Sequence, residues 1–433
     1  MSKAWIGALT GATVVVALAA CGGGGSDSGS SGNAGNGTNG GGNGNGASAP
    51  VAASAPAASA PVSIPQSTLA NVQPITVTTA PGLTRNMLTT SVTVCAPGTS
   101  NCATIDNIQV DTGSHGLRVL ASALPASMSL GAVTPGTSSG GSSNTGTTSA
   151  ECAVFGGGFT WGTVRLADVR MAGQLAGSVP IQLIADPAVP TTPADCAATG
   201  SPMQSSTALH SNGILGVGLF AADCGSGCAN AALPRWYYAC TDGTCAASAQ
   251  PVASQVTNPV SRFALDNNGV VIDLPDVPDA GAVSVTGSMI FGIDTQSNNT
   301  VAGATVLKAN SQSGFVTTTI DGTNFTRSYI DSGSNAVFFS SADLTQCGYW
   351  YCPASPQTKS ASVAGSDGAA RPVTFTVANS RNLFSSVNYA FDNLAGIASN
   401  SFGWGLPFFF GRRVFTAIAS RATTAGSGPY FAF

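Results

Sequence analysis

Two carboxylates stand in near-identical surroundings in this sequence. Asp111-Thr112-Gly113-Ser114 and Asp331-Ser332-Gly333-Ser334 are both turns of Asp, a small hydroxyl residue, Gly and Ser. They lie 220 residues apart. Ile108-Gln109-Val110 precedes the first turn and Leu117-Arg118-Val119-Leu120 follows it, while Tyr329-Ile330 and Ala336-Val337-Phe338-Phe339 flank the second. An Asp at a strand end, followed by a hydroxyl residue and Gly, is held by the main chain, because Gly lets neighbouring backbone approach closely. The Thr112 and Ser332 hydroxyls are expected to bond across to the opposite turn. Those of Ser114 and Ser334 are expected to donate to the outer carboxylate oxygens. Two carboxyls sharing one position cannot both ionise, so the pair titrates as a unit. One member would then act as general base on a water while the other donates to a substrate carbonyl oxygen. A third match, Asp27-Ser28-Gly29-Ser30, sits in a polar run without apolar flanks and is a chance hit.

The elements that must position these turns are set by composition. The chain has 433 residues, enough for two medium lobes with real cores. Charged residues make up only 8% and the net charge is −4, so there is no basic footprint and no nucleic-acid partner is expected. Residues 1–20 read as a signal peptide: Lys3, then an apolar stretch from Ile6 to Ala20 too short to span a membrane stably. Leu18-Ala19-Ala20-Cys21 resembles a bacterial lipobox, which implies acylation of Cys21 and a lipid anchor in the cell envelope. Gly22 in the next position points to the outer membrane. Residues 21–71 comprise that Cys and a linker, rich in Gly, Ser and Asn and then in Ala, Pro and Ser, which is expected to be disordered or extended.

Eleven Cys less Cys21 leave an even set. Spacing groups them as Cys95/Cys102, Cys224/Cys228, Cys240/Cys245 and Cys347/Cys352, with Cys152/Cys196 remaining. Short disulfide loops suit an oxidising compartment, although sequence does not fix connectivity. Zinc is the competing explanation. The wide spacing within each pair and a total of two His argue against it, and no metal is expected.

From about residue 72 the pattern alternates with a period of two between Gly and Pro punctuation, which predicts an all-β architecture. Strands are expected over Ala103–Val110, Phe159–Leu166 and Val179–Ile184, and a disulfide-clasped hairpin tip over Cys95–Cys102. A Gly/Ser/Thr loop is expected over residues 134–150, and short helices near Ala121–Met128 and Ser341–Thr345. His115 is expected to be an exposed loop residue, and His210 a polar residue before a core strand. A serine-hydrolase-like match, Gly136-Thr137-Ser138-Ser139-Gly140, lacks a preceding apolar strand and is chance.

Further blocks, in order, carry a resemblance. Val154-Phe155-Gly156-Gly157-Gly158-Phe159-Thr160-Trp161 resembles a flap hairpin. Asn212-Gly213-Ile214-Leu215-Gly216 resembles a strand that passes beneath the catalytic turn, Gly287-Ser288-Met289-Ile290-Phe291-Gly292-Ile293-Asp294 resembles the opening of a second lobe, and Trp404-Gly405-Leu406-Pro407-Phe408-Phe409 resembles a closing Ile-Leu-Gly-Asp-x-Phe block. With the two turns, the chain is similar to pepsin-like aspartic proteases over roughly residues 75–433. The resemblance implies a bilobal β fold with a cleft between lobes 72–255 and 256–433. It implies endopeptidase activity without a cofactor, a peptide or protein substrate, and a monomer. Asp111 and Asp331 would be catalytic, supported by Thr112, Gly113, Ser114, Ser332, Gly333 and Ser334. Phe155, Gly156 and Gly157 would cover the substrate. Three positions depart from the family pattern: Phe155 replaces the flap tyrosine, Arg118 replaces the Trp that bonds its hydroxyl, and Leu406 stands where an Asp follows the last Gly. The alternative is a non-catalytic pepsin-like binding module of the cell envelope.

Overall fold

The computed structural model describes residues 58–79, 84–136 and 146–433. The expectations for the signal peptide, for Cys21 and for the linker to residue 57 lie outside the described residues, as does most of the Gly136–Gly140 match. The chain is all-β. Its described strands form a 17-stranded sheet, a 9-stranded sheet and a 2-stranded one. Helices are single short turns, the longest described being Ser380–Ser385. Among the described residues no helix is long and apolar enough to cross a membrane.

The alternation in sequence becomes alternation in burial. Val316–Ile320 is buried at every second position, as expected of a strand with one face on a core. The 9-stranded sheet is built from the continuous stretch between Val316 and Trp404. The larger sheet takes strands from both halves of the chain. Val72–Val77 pairs antiparallel with Val285–Phe291, which continues through Gly269–Leu274 to Arg412–Ala417. One apolar cluster, including Ile75, Leu117, Phe291, Ile330 and Trp404, runs under both sheets. The end of the linker joins this body: Val62–Ser63 pairs in parallel with Val285–Thr286.

The same strand arrangement occurs under each Asp turn. Gly213–Val217 lies parallel to Cys102–Asp111 and antiparallel to His115–Leu120. Phe402–Trp404 lies parallel to Thr323–Ile330 and antiparallel to Val337–Phe339. In each case a third, distant strand fills the gap between the two arms of the turn. Only a short glycine-rich strand fits there, since a Cβ on Gly216 would meet the His115 backbone at 2.6 Å.

Five disulfides close, pairing Cys95–Cys102, Cys152–Cys196, Cys224–Cys228, Cys240–Cys245 and Cys347–Cys352. This is the grouping the spacing suggested. Cys95 and Cys102 face each other across a hairpin. The bond between Cys152 and Cys196 closes a loop of 44 residues and ties the Thr148–Phe155 strand to the turn Ala194–Ala197. A loop of that length constrains the unfolded chain by about 4 kcal/mol in the chain-entropy account.

Local expectations fail in several places. The helix expected near Ala121–Met128 is one 3-10 turn, Ala121–Ala123, because Pro125 follows at once and cannot continue it. Residues 341–345 form bends rather than a helix, and the Ser341 hydroxyl is taken up by the Asp343 carboxylate. The loop expected to reach residue 150 ends earlier, since the strand Thr148–Phe155 begins inside it.

Candidate active site

Each Asp stands at the buried end of a strand. Asp111 closes Cys102–Asp111, and Asp331 follows Thr323–Ile330 directly. The turns then reverse the chain into His115–Leu120 and Val337–Phe339. The two turns meet face to face. A Cβ on Gly113 would lie 2.5 Å from Asp331 Cγ, and one on Gly333 2.7 Å from Asp111 Cγ. No residue but Gly allows each carboxyl to come so close to the opposite turn.

Two reciprocal locks hold this approach. Thr112 Oγ1 donates to the Ile330 carbonyl (3.2 Å) and accepts from the Ser332 amide (2.9 Å). Ser332 Oγ donates to the Val110 carbonyl (2.8 Å) and accepts from the Thr112 amide (3.2 Å). Every hydroxyl here both donates and accepts across the junction, so buried backbone groups of both turns are satisfied by the partner turn. Gln109 adds a third crossing, from Nε2 to the Gly333 carbonyl (2.9 Å). Asn86 holds the second turn from outside by donating to the Asn335 carbonyl (2.9 Å). Neither Gln109 nor Asn86 was singled out from the sequence. The signal available for Gln109 was an amide in an otherwise apolar strand end.

The carboxyls themselves are buried, Asp111 at 1% and Asp331 at 0% exposure. Asp111 accepts from the Gly113 amide (2.7 Å), the Ser114 amide (3.1 Å) and the Ser114 hydroxyl (2.5 Å). Asp331 accepts from the Gly333 amide (2.7 Å) and the Ser334 hydroxyl (2.7 Å). Burial first, then the neighbouring Asp111 charge and a hydrogen bond shared with it, push the Asp331 carboxyl well above the usual carboxylate range. Two carboxyls so placed titrate as a unit rather than independently.

The hairpin Thr148–Phe155 to Gly158–Met171 turns at Gly156-Gly157, with Phe155 paired to Gly158. The Phe155 ring is buried in an apolar cluster with Leu120, Ile184, Met203 and Ile214. The Arg118 guanidinium lies over it at 5.6 Å. Gly156 is exposed and Gly157 half-buried at the hairpin tip.

Arg118 is also the centre of a buried ionic cluster that sequence reasoning missed. It donates to Glu151 (2.5 Å and 3.2 Å), Asp223 (3.2 Å) and the His115 carbonyl (2.9 Å). Tyr237 Oη donates to Asp223 (2.6 Å). Burial opposes the Arg118 charge, but the Glu151 and Asp223 carboxyls outweigh it and hold its pKa above the ordinary value. Burial and the Glu151 charge push the Asp223 carboxyl well above the usual carboxylate range. His115 is not the exposed loop residue expected. Strand pairing begins immediately after the turn, opposite Val217, which buries the imidazole edge-on to Phe220. Burial, reinforced by the Arg118 charge, lowers its pKa to about 3 and keeps it neutral. His210 ends the turn Ser206–Leu209 in a left-handed conformation, before the strand Gly213–Val217.

No curated protein matches the sequence. One family model does, across residues 67–433, a stretch that contains both Asp turns, all five disulfides and the Arg118 cluster. On that match the chain belongs to the family described as protein of unknown function, DUF3443.

Proposed function

We propose that this chain is an aspartic-type endopeptidase with a bilobal, pepsin-like fold. The observation that carries the proposal is the pair of reciprocal locks between Thr112 and Ser332, which hold two buried carboxyls against each other's turn. Keeping two acids in one dry position costs stability, and the family resemblance supplies a use for that cost. The repeated strand arrangement beneath the turns supports two related lobes.

In this mechanism Asp331 begins protonated and donates to the scissile carbonyl oxygen. Asp111 takes a proton from water, and the resulting hydroxide adds to the carbonyl carbon. Collapse of the tetrahedral species passes that proton to the departing amine and returns the shared proton to the pair. Ser114 and Ser334 fix the outer oxygens throughout. The Arg118–Phe155 stack replaces the hydrogen bond that the family resemblance would place between these positions. The proposal includes a lipid anchor at Cys21 in the envelope, supported by the lipobox-like residues and by disulfides that suit an oxidising compartment.

Incubation with a peptide library between about pH 3 and 7 tests the activity, the range in which a coupled carboxyl pair changes protonation. Cleavage, inhibition by pepstatin and loss of both in Asp111→Asn are expected. Cleavage persisting in Asp111→Asn overturns the mechanism. A wild type that neither cleaves nor binds pepstatin assigns the site to a binding module, for which the packing of Phe155 into its own lobe is the favouring observation.

A further inference from the structure

Three arginines line one cavity formed by the C-terminal part of the chain. Its volume is about 530 Å³, and its wall includes Arg371, Arg412 and Arg413 together with Asn298, Phe415 and Phe433. Arg371 comes from the strand Ala370–Val377 of the 9-stranded sheet. Arg412 and Arg413 open the strand Arg412–Ala417 of the larger sheet. The cavity therefore lies where the two sheets approach.

Each guanidinium is held against a ring. Arg371 lies over Phe433 at 4.9 Å, Arg412 over Phe408 at 4.9 Å and Arg413 over Phe415 at 5.9 Å. Stacking of this kind fixes the plane of the group and leaves its N–H edge available. The three differ in how far they are already committed. Arg413 donates to the Asn298 carbonyl (2.6 Å) and faces Asp273 at 3.4 Å. Arg412 uses Nη1 on the carbonyls of Phe408 (2.7 Å) and Phe410 (3.2 Å). Arg371 has its ring contact and no carboxylate partner among the described residues. Burial and the nearby Arg371 charge lower the Arg412 pKa, against the opposing pull of the Asp276 and Asp392 carboxyls. A chain with only 15 Lys and Arg has placed three of them around one hollow.

One guanidinium fork satisfies a carboxylate. Several forks at different angles match the oxygens of a phosphate group. We propose that this cavity binds a phosphate group, either on a small soluble molecule or on a lipid headgroup. The inference does not depend on the function proposed above.

Calorimetric titration of the intact protein with pyrophosphate, and flotation with phosphatidic acid vesicles against phosphatidylcholine vesicles, test it. Succinate is the carboxylate control. We expect binding of pyrophosphate, of phosphatidic acid vesicles or of both, with the pattern identifying the source of the phosphate. Pyrophosphate binding would have a Kd below about 1 mM and would weaken with added salt. Arg371→Ala should weaken the interaction at least about tenfold, with its thermal midpoint and pepstatin response unchanged. Arg413→Gln, which removes a cation already facing Asp273, should weaken it less. The proposal is overturned by absence of binding to both phosphate probes, by equal binding in Arg371→Ala, or by succinate binding as tightly as pyrophosphate.

Discussion

Thr112→Val isolates the lock between the two turns. Val has almost the volume of Thr, so no cavity opens and no charge changes. What disappears is one hydroxyl that donates to Ile330 and accepts from Ser332, at 3.2 Å and 2.9 Å. The Ser332 amide is then left without its acceptor in a region where Ser332 is 1% exposed. A buried donor left unsatisfied costs about 1–3 kcal/mol, and losing the bond to Ile330 adds about 0.5–1.5 kcal/mol. The expected loss is therefore roughly 1.5–4.5 kcal/mol. Thr112→Ser keeps the hydroxyl and loses only a methyl group, so it should retain most of the stability. Urea denaturation of the three proteins, compared by midpoint at constant slope, reads the difference. Thr112→Val unfolding within about 0.5 kcal/mol of wild type, the size of an ordinary surface substitution, would refute the view that these hydroxyls hold the junction.

Two further perturbations address the buried charges. The Asp331 carboxyl titrates above its unfolded value, so its favourable contribution is complete below the unfolded carboxyl pKa of about 3.9 and is lost as pH rises through the folded one. Asp331→Asn lacks this titration, and its stability relative to wild type should increase as pH is raised from about 4 to 7. A stability difference that stays constant with pH in paired denaturation curves contradicts that assignment. Arg118→Met leaves Glu151 and Asp223 buried without their cation and should cost about 3–5 kcal/mol. Replacing both acids by Leu in the same background should recover most of the loss, and a stable single variant would show that the cluster is not held by charge.

The Asp turns were legible because their chemistry is local. Asp, hydroxyl, Gly and Ser are consecutive, and the apolar flanks identify the strands that present them. The disulfide grouping was legible for the same reason, since four of the five pairs are separated by 7 residues or fewer. The Arg118 cluster was not. Its partners Glu151 and Asp223 are 33 and 105 residues away, and each alone reads as an ordinary polar residue. The burial of His115 was missed because a residue next to a Gly-Ser turn suggests a loop, whereas pairing with Val217 starts there without an intervening residue. The short helix expected near residues 121–128 is limited to one turn by Pro125.

The shared sheet has a consequence for biosynthesis. Val72–Val77 waits for Val285–Phe291, and Gly269–Leu274 waits for Arg412–Ala417, which itself pairs with Tyr430–Ala432 near the end of the sequence given. Such distant partners make assembly slow and leave strand edges open until late in synthesis. A nascent chain halted midway carries one acidic turn without its counterpart, and hence no complete acid pair. Closure of the junction between the turns is deferred until much of the polypeptide has emerged.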